Sequence, residues 1–358
     1  MTDHESSHLS RPVFVIGCPR SGNTLLGAIF NKHPDFLIFF EANTFSALYR
    51  YWVYSCTLGR QSPDRAFVDL IVNLNAHLNK QFQIVEQDIV ACSQVDPSSW
   101  GCMLNCYMQL LLTRAKSSAQ RWGDKTPHHV GHMLHIQQQY PNAQFLYVYR
   151  DPRHVVASLS KSSFRYTTNN PLVNAEVVKQ YLQVYEEQKK RINQEHLLEI
   201  RYEMLVAEPE ATLRQVCAFL GTNYTPALLA EADEHTRKTV GYEDDKAWNA
   251  ITPQPVQIPP ATGLQVESLL ANWIDHYGYI RDDREPTMLR NLTSRLSTLP
   301  FRSARLMLTW FWRMKYPGFP FLMQKYPSTD QQIRWICAYY NDLVRNTVAY
   351  AQKRNAKS

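Results

Sequence analysis

The chain has 358 residues, of which 44% are hydrophobic and 20% are charged. This composition is typical of a globular protein, and the length suffices for one large α/β domain or for a domain with an appendage. The 38 basic and 32 acidic residues give a formal charge of +6. So small an excess favours a pocket for a polyanionic small molecule and argues against a nucleic-acid groove, which has denser basic clusters.

Cysteine spacing and hydropathy predict a cytoplasmic enzyme. The seven cysteines are scattered and include no Cys-x-x-Cys pair, so neither a disulfide framework nor a zinc site is expected. Residues 1–10 are polar, lack the apolar core of a signal peptide and are expected to be disordered. We find no uninterrupted apolar stretch of about 20 residues, the length that a membrane-spanning helix needs.

The first part of the chain predicts two buried strands and several helices. Residues 13–16 form an apolar run that indicates a strand, followed by a turn between Gly17 and Gly22 and by the helix TLLGAIF. A second apolar run, Phe36–Phe40, predicts another strand. Residues 44–120 show the three- and four-residue apolar spacing of helices.

The second part alternates helices with strands. RWGDKTPHH, residues 121–129, is interpreted as a loop that leads into a helix ending near Tyr140. The elements predicted after it are the strand Gln144–Tyr149, a helix from about His154, a helix over 173–195, a strand in HLLEIRYEML that runs into a turn, and the helix PEATLRQVCAFLG with its glycine stop. This alternation indicates an α/β fold, P-loop-like, with a mainly parallel sheet flanked by helices.

The composition changes towards the end of the chain. Residues 241–263 are proline-rich and show no periodicity, which predicts a long loop. We expect one main domain over 11–283 and a helical extension over 284–358, whose last helix covers about 329–354. Within that extension, 299–327 alternates aromatic and basic residues. This pattern fits peripheral contact with a membrane interface, although such stretches more often pack on their own domain.

The turn after the first strand has the pattern of a phosphate-binding loop without its lysine. Nucleoside-triphosphate loops have lysine after the second glycine, whereas Asn23 occupies that position here. No convincing apolar strand ends in an aspartate that would hold Mg²⁺. We therefore expect a 5′-phosphate or diphosphate-like ligand that needs no metal, bound by backbone amides at a helix N-terminus. The residues assigned to this site are Arg20, Ser21, Gly22, Asn23, Thr24 and Leu25.

A second anion site is predicted at the strand that ends at Tyr149. Arg150 follows this strand, and Ser158 lies eight residues further along. Two turns of helix would return the serine hydroxyl to the strand end. An arginine fork with a hydroxyl is suited to a phosphate, so the two sites together describe a nucleotide that is phosphorylated at both ends.

These motifs resemble those of the sulfotransferases that use 3′-phosphoadenosine 5′-phosphosulfate (PAPS), in the branch that includes bacterial members and the protein-tyrosine sulfotransferases. GCPRSGNTLL resembles the family's 5′-phosphosulfate loop and YVYRDPRHVVASL its 3′-phosphate motif. RWGDKTPHH and EIRYEMLVAEPEATLRQVCAFLG also match in kind and order, so the resemblance covers about residues 12–280. Asn23 stands where the family usually has threonine. The resemblance implies PAPS as co-substrate, which has no γ-phosphate and requires neither the lysine nor magnesium.

The resemblance also implies roles for single residues. Arg20 corresponds to the loop cation that stabilises the leaving phosphate oxygen, and Lys125 to a second cation that contacts the sulfonate. Tyr202 resembles a tyrosine that lines the nucleotide site, with a core aromatic as the alternative. The loop 241–263, which contains Lys246, lies where the family closes a loop over the nucleotide.

Two residues are candidates for the general base. Glu41 follows the second strand, which we expect beside the phosphate loop, and HPDFLIFFEANTF resembles the stretch with the catalytic glutamate of the tyrosine-sulfating branch. An apolar surround would help it accept a proton near neutral pH. His128 lies near the position of the catalytic histidine in cytosolic small-molecule sulfotransferases. We favour Glu41, although a capping or ion-paired glutamate would give the same pattern.

Two other classes of function stay open at this point. A P-loop small-molecule kinase would need the missing lysine and a metal-binding aspartate. A non-catalytic nucleotide-binding or interfacial protein would use the aromatic and basic residues of 299–327. For the sulfotransferase, the expected acceptor is a hydroxyl or amine of a small molecule, a glycan, a lipid or a peptide tyrosine, with no nucleic-acid partner.

Overall fold

The structure is a computed structural model of the chain. This structure describes residues 11–57, 59, 61–115, 119–162, 170–230 and 260–281. The predictions for the N-terminal residues 1–10, for the loop over 241–259 with Lys246, and for the extension over 284–358 lie outside these residues. Residues 260–263, which we had included in that loop, instead begin a helix.

A five-stranded sheet forms the centre of the molecule. Its strands are β1 Val13–Gly17, β2 Phe36–Phe40, β3 Arg121–Lys125, β4 Gln144–Tyr149 and β5 Leu197–Arg201. They lie in the order β2-β3-β1-β4-β5, and every neighbouring pair is parallel. The predicted parallel α/β architecture is therefore confirmed.

Helices connect the strands. Before β3 they are α1 Asn23–Phe30, α2 Arg50–Thr57 with a preceding π-turn over Thr44–Tyr49, α3 Pro63–Leu74, α4 Ala76–Gln81, α5 Glu86–Ser93 and α6 Trp100–Ala115. After β3 they are α7 Met133–Gln139, α8 Pro152–Ser160, α9 Pro171–Lys189, α10 Tyr202–Ala207, α11 Pro209–Leu220 and α12 Pro260–His276. Short 3₁₀ segments cover Pro127–His132, Gln194–His196 and Pro226–Leu229.

The alternating residues of each strand pack into two hydrophobic clusters, one on either face of the sheet. In β1, Phe14 belongs to the larger cluster, with Trp122 and Phe145, and Val13 and Val15 belong to the other. Such two-sided burial explains why β1, β2 and β4 appear in the sequence as continuous apolar runs.

Strand β3 was wrongly predicted as a loop. Its sequence, RWGDK, contains three charged residues, yet all five positions are buried. Arg121 is accommodated because its guanidinium donates to the carbonyl oxygens of Arg11 and Leu220 and to Oε1 of Gln144 at 2.6–3.0 Å. Burial lowers the pKa of Arg121 to about 9. Partners of this kind lie far away in the chain and cannot be found by local pattern.

Because β3 lies between β2 and β1, the second strand is not the direct neighbour of the phosphate-loop strand as we expected. Glu41, at the end of β2, is therefore one strand further from the loop. Lys125, at the end of β3, occupies the intermediate position. Two smaller corrections concern the helices: α9 ends at Lys189, and β5 runs into helix α10 where a turn was predicted.

Candidate active site

The loop between β1 and α1 has a backbone suited to an anion. Arg20 and Gly22 have positive φ angles of 72° and 107°, and the first intrahelical bond runs from the Leu26 amide to the Gly22 carbonyl at 3.1 Å. The amides at the start of α1 consequently have no acceptor within the helix. A helix N-terminus with such amides attracts a negatively charged group.

The side chains of this loop divide into two groups. Ser21 and Asn23 are buried, and Thr24 and Leu25 are half-buried. Asn23, at the position of the missing lysine, turns back into the loop, where its Nδ2 donates to the Cys18 carbonyl at 2.8 Å. The Asn23 side chain thus stabilises the loop. The groups that remain for an anion are the backbone amides at the start of α1.

The second predicted motif meets the loop directly. The Nε of Arg20 donates to the Ser158 hydroxyl at 2.9 Å, and Arg150 Nη1 lies 3.5 Å from the Arg20 carbonyl oxygen. The Arg150 guanidinium stacks over the Tyr202 ring at 4.3 Å from its centroid. The loop, β4, α8 and α10 thereby bring two arginines, a serine and a tyrosine to one edge of the sheet.

Tyr202 also explains why position 22 is glycine. A Cβ built on Gly22 would lie 2.4 Å from Cδ2 of the Tyr202 ring, and the φ of 107° disfavours any other residue. The tyrosine ring therefore packs directly on the loop backbone.

Sequence reasoning missed the residues that hold the start of α8. Glu203 Oε1 accepts the Asp151 amide at 3.1 Å, and its Oε2 accepts the Tyr279 hydroxyl at 2.8 Å. Arg153 pairs with Asp151 at 2.7 Å and with Glu267 of α12 at 3.2 Å. These contacts join α12 to the segment with Arg150, and none of them is indicated by a local pattern.

Lys125 and Glu41 form an ion pair at the ends of β3 and β2. Lys125 Nζ lies 3.2 Å from Glu41 Oε1, with side chains that are 1% and 60% exposed, respectively. The ammonium also lies 4.7 Å from the centroid of the Phe40 ring. The apolar surround that we expected for Glu41 is not found, since most of its side chain is exposed and its partner is a buried cation.

His128 has a different environment from Glu41. It is 8% exposed, and the Tyr181 hydroxyl makes a short hydrogen bond with its Nδ1. Burial, with the nearby charges of His129 and Lys125, holds the pKa of His128 well below its ordinary value. A buried imidazole with so low a pKa accepts a proton poorly at neutral pH.

The described part of the chain shows neither a metal-binding cluster nor a membrane-spanning helix. Among the described residues, no group of three or more His, Cys, Asp or Glu side chains is arranged to hold a metal ion. No helix in that part of the chain is both long and apolar enough to cross a bilayer.

Comparisons with known proteins agree with the motifs. Residues 12–226 match a family model described as the sulfotransferase family. The chain is 21% identical to protein-tyrosine sulfotransferase A of Caenorhabditis elegans over 220 residues, which is 61% of this chain and 51% of that protein. It is 28% identical to the omega-hydroxy-beta-dihydromenaquinone-9 sulfotransferase Stf3 of Mycobacterium bovis over 181 residues, 46% of this chain and 43% of that protein. The chain thus spans about half the length of these relatives.

Solved structures with a similar fold include two bacterial sulfotransferases. Sulfotransferase STF9 from Mycobacterium avium matches with a TM-score of 0.43 and 16% identity, over 76% of this chain and 78% of that one. The sulfotransferase domain of the olefin synthase from Synechococcus PCC 7002 matches with a TM-score of 0.43 and 17% identity, over 76% of this chain and 97% of that one.

Proposed function

The chain belongs to the sulfotransferase family, and from this we propose that it transfers the sulfuryl group of PAPS to an acceptor hydroxyl by in-line displacement. The observation that supports this most strongly is the meeting of the two anion motifs, in which Arg20 bonds Ser158 and Arg150 stacks on Tyr202. A nucleotide with phosphates at both ends needs two such groups of donors at one edge of the sheet.

The described residues fit PAPS in two places. The amides at the start of α1, with Arg20 and Ser21, would hold the 5′-phosphate. Arg150 and Ser158 would hold the 3′-phosphate, because a guanidinium and a hydroxyl provide charge-assisted bonds to its oxygens. Tyr202, packed against Gly22 and Arg150, would flank the nucleotide.

The chemistry of the transfer assigns a role to each charged group. The acceptor oxygen forms a bond to sulfur while the bond from sulfur to the bridging 5′-phosphate oxygen breaks. Arg20 and the loop amides stabilise the charge on the leaving phosphate, and Lys125 stabilises the charge on the sulfonate oxygens. Glu41 takes the proton of the acceptor hydroxyl. Its exposed carboxylate can reach an incoming acceptor, whereas the buried His128 is bonded to Tyr181.

The acceptor is proposed only as a class. The names of the relatives include a protein-tyrosine sulfotransferase and a sulfotransferase of a hydroxylated menaquinone, so phenolic and aliphatic hydroxyls both belong in the first panel. Hydroxyls and amines of other small molecules, glycans and lipids complete it. We also propose the cytoplasm as the location, on the composition and cysteine pattern of the sequence.

Ligand-induced thermal stabilisation tests the nucleotide class. Adenosine 3′,5′-bisphosphate should raise the melting temperature without magnesium, by an amount that corresponds to about 2.7 kcal/mol at one hundred times its dissociation constant. A P-loop kinase would instead be stabilised by ATP with magnesium. Stabilisation by ATP and magnesium alone would contradict the proposal.

A further inference from the structure

Asp124, the residue before Lys125, is the centre of a buried hydrogen-bond network. It is fully buried, and because strand residues alternate between faces, its carboxylate lies on the face opposite Lys125. Its Oδ2 accepts the Thr44 hydroxyl at 2.7 Å and the Thr44 amide at 3.2 Å, and lies 2.7 Å from Nε2 of His129. Its Oδ1 accepts the Thr126 hydroxyl at 2.6 Å.

This network keeps the carboxylate charged in the core. Burial alone would raise the pKa of Asp124, but His129 and the hydroxyls of Thr126 and Thr44 outweigh it and hold that pKa below its ordinary value. An ionised carboxylate binds its donors about twice as strongly as a neutral acceptor does. The network can therefore hold a backbone segment in a conformation that the segment alone would not favour.

The segment after β2 is such a case. Glu41 and Asn43 both have φ angles of 53°, in the left-handed region that residues other than glycine rarely adopt. Conformations of this kind persist only where surrounding contacts enforce them. Here the Glu41 amide donates to the Lys125 carbonyl at 3.0 Å, and the Asn43 amide lies 3.3 Å from the Thr126 hydroxyl oxygen. Asp124 binds both the Thr126 hydroxyl and the backbone and side chain of Thr44.

We propose that Asp124 is the positioning residue for Glu41, an inference that rests on the proposed function. Asp124 fastens the segment 41–44 to the end of β3, which also presents Lys125 on its other face. It thereby sets the 3.2 Å separation of Lys125 and Glu41 and the place from which Glu41 takes the acceptor proton. Asp124 itself touches neither nucleotide nor acceptor.

The test uses Asp124→Asn, which keeps the side-chain shape but replaces one acceptor oxygen with a donor. With PAPS and the best acceptor of the panel, kcat should fall about 10- to 100-fold, since a small misplacement of a reacting group costs rate on this order. The KM for PAPS should change by less than about twofold, because the residues proposed to hold the two phosphates and to flank the nucleotide belong to the loop, the end of β4, α8 and α10, whereas Asp124 bonds to Thr44, Thr126 and His129. Thr44→Val removes one hydroxyl donor to Asp124 and should reduce kcat by a smaller factor. If Asp124→Asn does not fold, Thr44→Val is the variant that tests the proposal.

Two comparisons separate positioning from general stability. Tyr185→Phe removes a buried hydroxyl that donates to Glu199 of β5 at 2.7 Å. This strand and β2 lie at the two ends of the strand order, so the change should leave kcat unchanged. In a Glu41→Gln background, Asp124→Asn should lower kcat by less than about a further twofold, because a residue that acts only through Glu41 has no base left to position.

The possible failures are distinguishable. A wild-type chain that turns over no PAPS with any acceptor contradicts the proposed function, and the positioning role falls with it. A wild type that turns over while Asp124→Asn is equally active overturns the positioning role alone. The positioning role is also overturned if the loss of kcat in Asp124→Asn is fully additive with that in Glu41→Gln, or if Tyr185→Phe loses kcat to the same extent.

Discussion

The pair formed by Lys125 and Glu41 combines a buried ammonium with an exposed carboxylate. A buried cation requires a partner, because the loss of hydration is otherwise uncompensated. Glu41 supplies that partner at 3.2 Å, and the Phe40 ring lies beside the ammonium. Any molecule that approaches Glu41 therefore meets a carboxylate and an ammonium together.

The first prediction concerns the choice of base. Glu41→Gln keeps the shape and removes the proton acceptor, so kcat should fall by about 10²- to 10⁴-fold while affinity for adenosine 3′,5′-bisphosphate stays near wild type. His128→Asn should cost much less, because His128 is buried against Tyr181. Steady-state kinetics and nucleotide titration measure both. An inactive His128→Asn beside a normal Glu41→Gln would show that the histidine is the base.

The second prediction concerns the 3′-phosphate. Arg150→Ala should weaken the binding of adenosine 3′,5′-bisphosphate by about 2–4 kcal/mol, because it removes the guanidinium proposed to make charge-assisted bonds to the 3′-phosphate. Adenosine 5′-phosphosulfate, which lacks the 3′-phosphate, should bind almost as before. Isothermal titration gives both affinities.

A matched control for Arg150 is available on α11. Arg214 also stacks on a tyrosine, 4.1 Å from the Tyr224 ring centroid, but pairs with Glu210 at an exposed position. Arg214→Ala should leave both affinities unchanged. Equal losses for both nucleotides in Arg150→Ala would mean that Arg150 does not bind the 3′ end.

Sequence prediction of the strands succeeded where the environment of a strand is uniform. β1, β2 and β4 are buried on both faces and were predicted as strands from their apolar runs. The eight-residue spacing predicted a Ser158 hydroxyl near the end of β4, and the structure places this hydroxyl against Arg20, whose carbonyl lies 3.5 Å from Arg150. The prediction failed for β3, because partners distant in the sequence bind its charged residues. The sheet order was wrong as well, because it depends on that strand. Asp124, Glu203 and Arg153 were missed for the same reason.

The third prediction concerns the turn between β1 and α1. Gly22→Ala places a Cβ 2.4 Å from the Tyr202 ring at a φ of 107°, which should cost about 1–3 kcal/mol of unfolding free energy and at least tenfold in affinity for adenosine 3′,5′-bisphosphate. Urea denaturation and nucleotide titration measure the two effects.

Gly221, at the end of α11, separates backbone strain from crowding. Its φ is 71°, but nothing lies within 4 Å of an added Cβ. Gly221→Ala should therefore cost about 1 kcal/mol of stability without changing nucleotide affinity. If Gly22→Ala bound the nucleotide normally, the close packing of Tyr202 on the loop would not matter for binding.

Two hydrophobic clusters enclose the sheet, and several histidines lie in this interior. His128 and His132 are buried. Burial, with nearby positive groups, holds the pKa of each well below its ordinary value. Both are therefore neutral in the folded chain at neutral pH.

The fourth prediction is a loss of stability in mild acid. The unfolded chain binds protons at these histidines near pH 6.5, whereas the folded chain does so only at lower pH, so stability is fully present above about pH 6.5 and falls as the pH decreases below it. The free energy of unfolding should therefore be lower at pH 5.5 than at pH 7.5. Urea unfolding at both pH values measures this. His132→Asn should make the difference between the two pH values smaller. A wild-type free energy of unfolding that is the same at both pH values would contradict the burial of neutral imidazoles.

The motif order along the whole chain supports the proposed nucleotide but does not indicate an acceptor. In the proposed function both anion motifs would contact a part of PAPS that is the same for every acceptor, so such motifs can be recognised in one sequence. In the same proposal the acceptor would reach the exposed Glu41, and the sequence offers no comparable pattern for acceptor contacts. The family assignment therefore supports sulfuryl transfer, and the acceptor has to be found by assay.

The most direct test is transfer itself. The chain is incubated with sulfur-labelled PAPS, excess EDTA and a panel of tyrosine peptides, long-chain hydroxylated quinols, glycans and phenols, and products are identified by mass spectrometry. We predict one sulfated class of acceptor and an equal amount of adenosine 3′,5′-bisphosphate, both lost in Glu41→Gln. A chain that sulfates nothing in the panel, and instead phosphorylates an acceptor from ATP once magnesium is restored, would contradict the account.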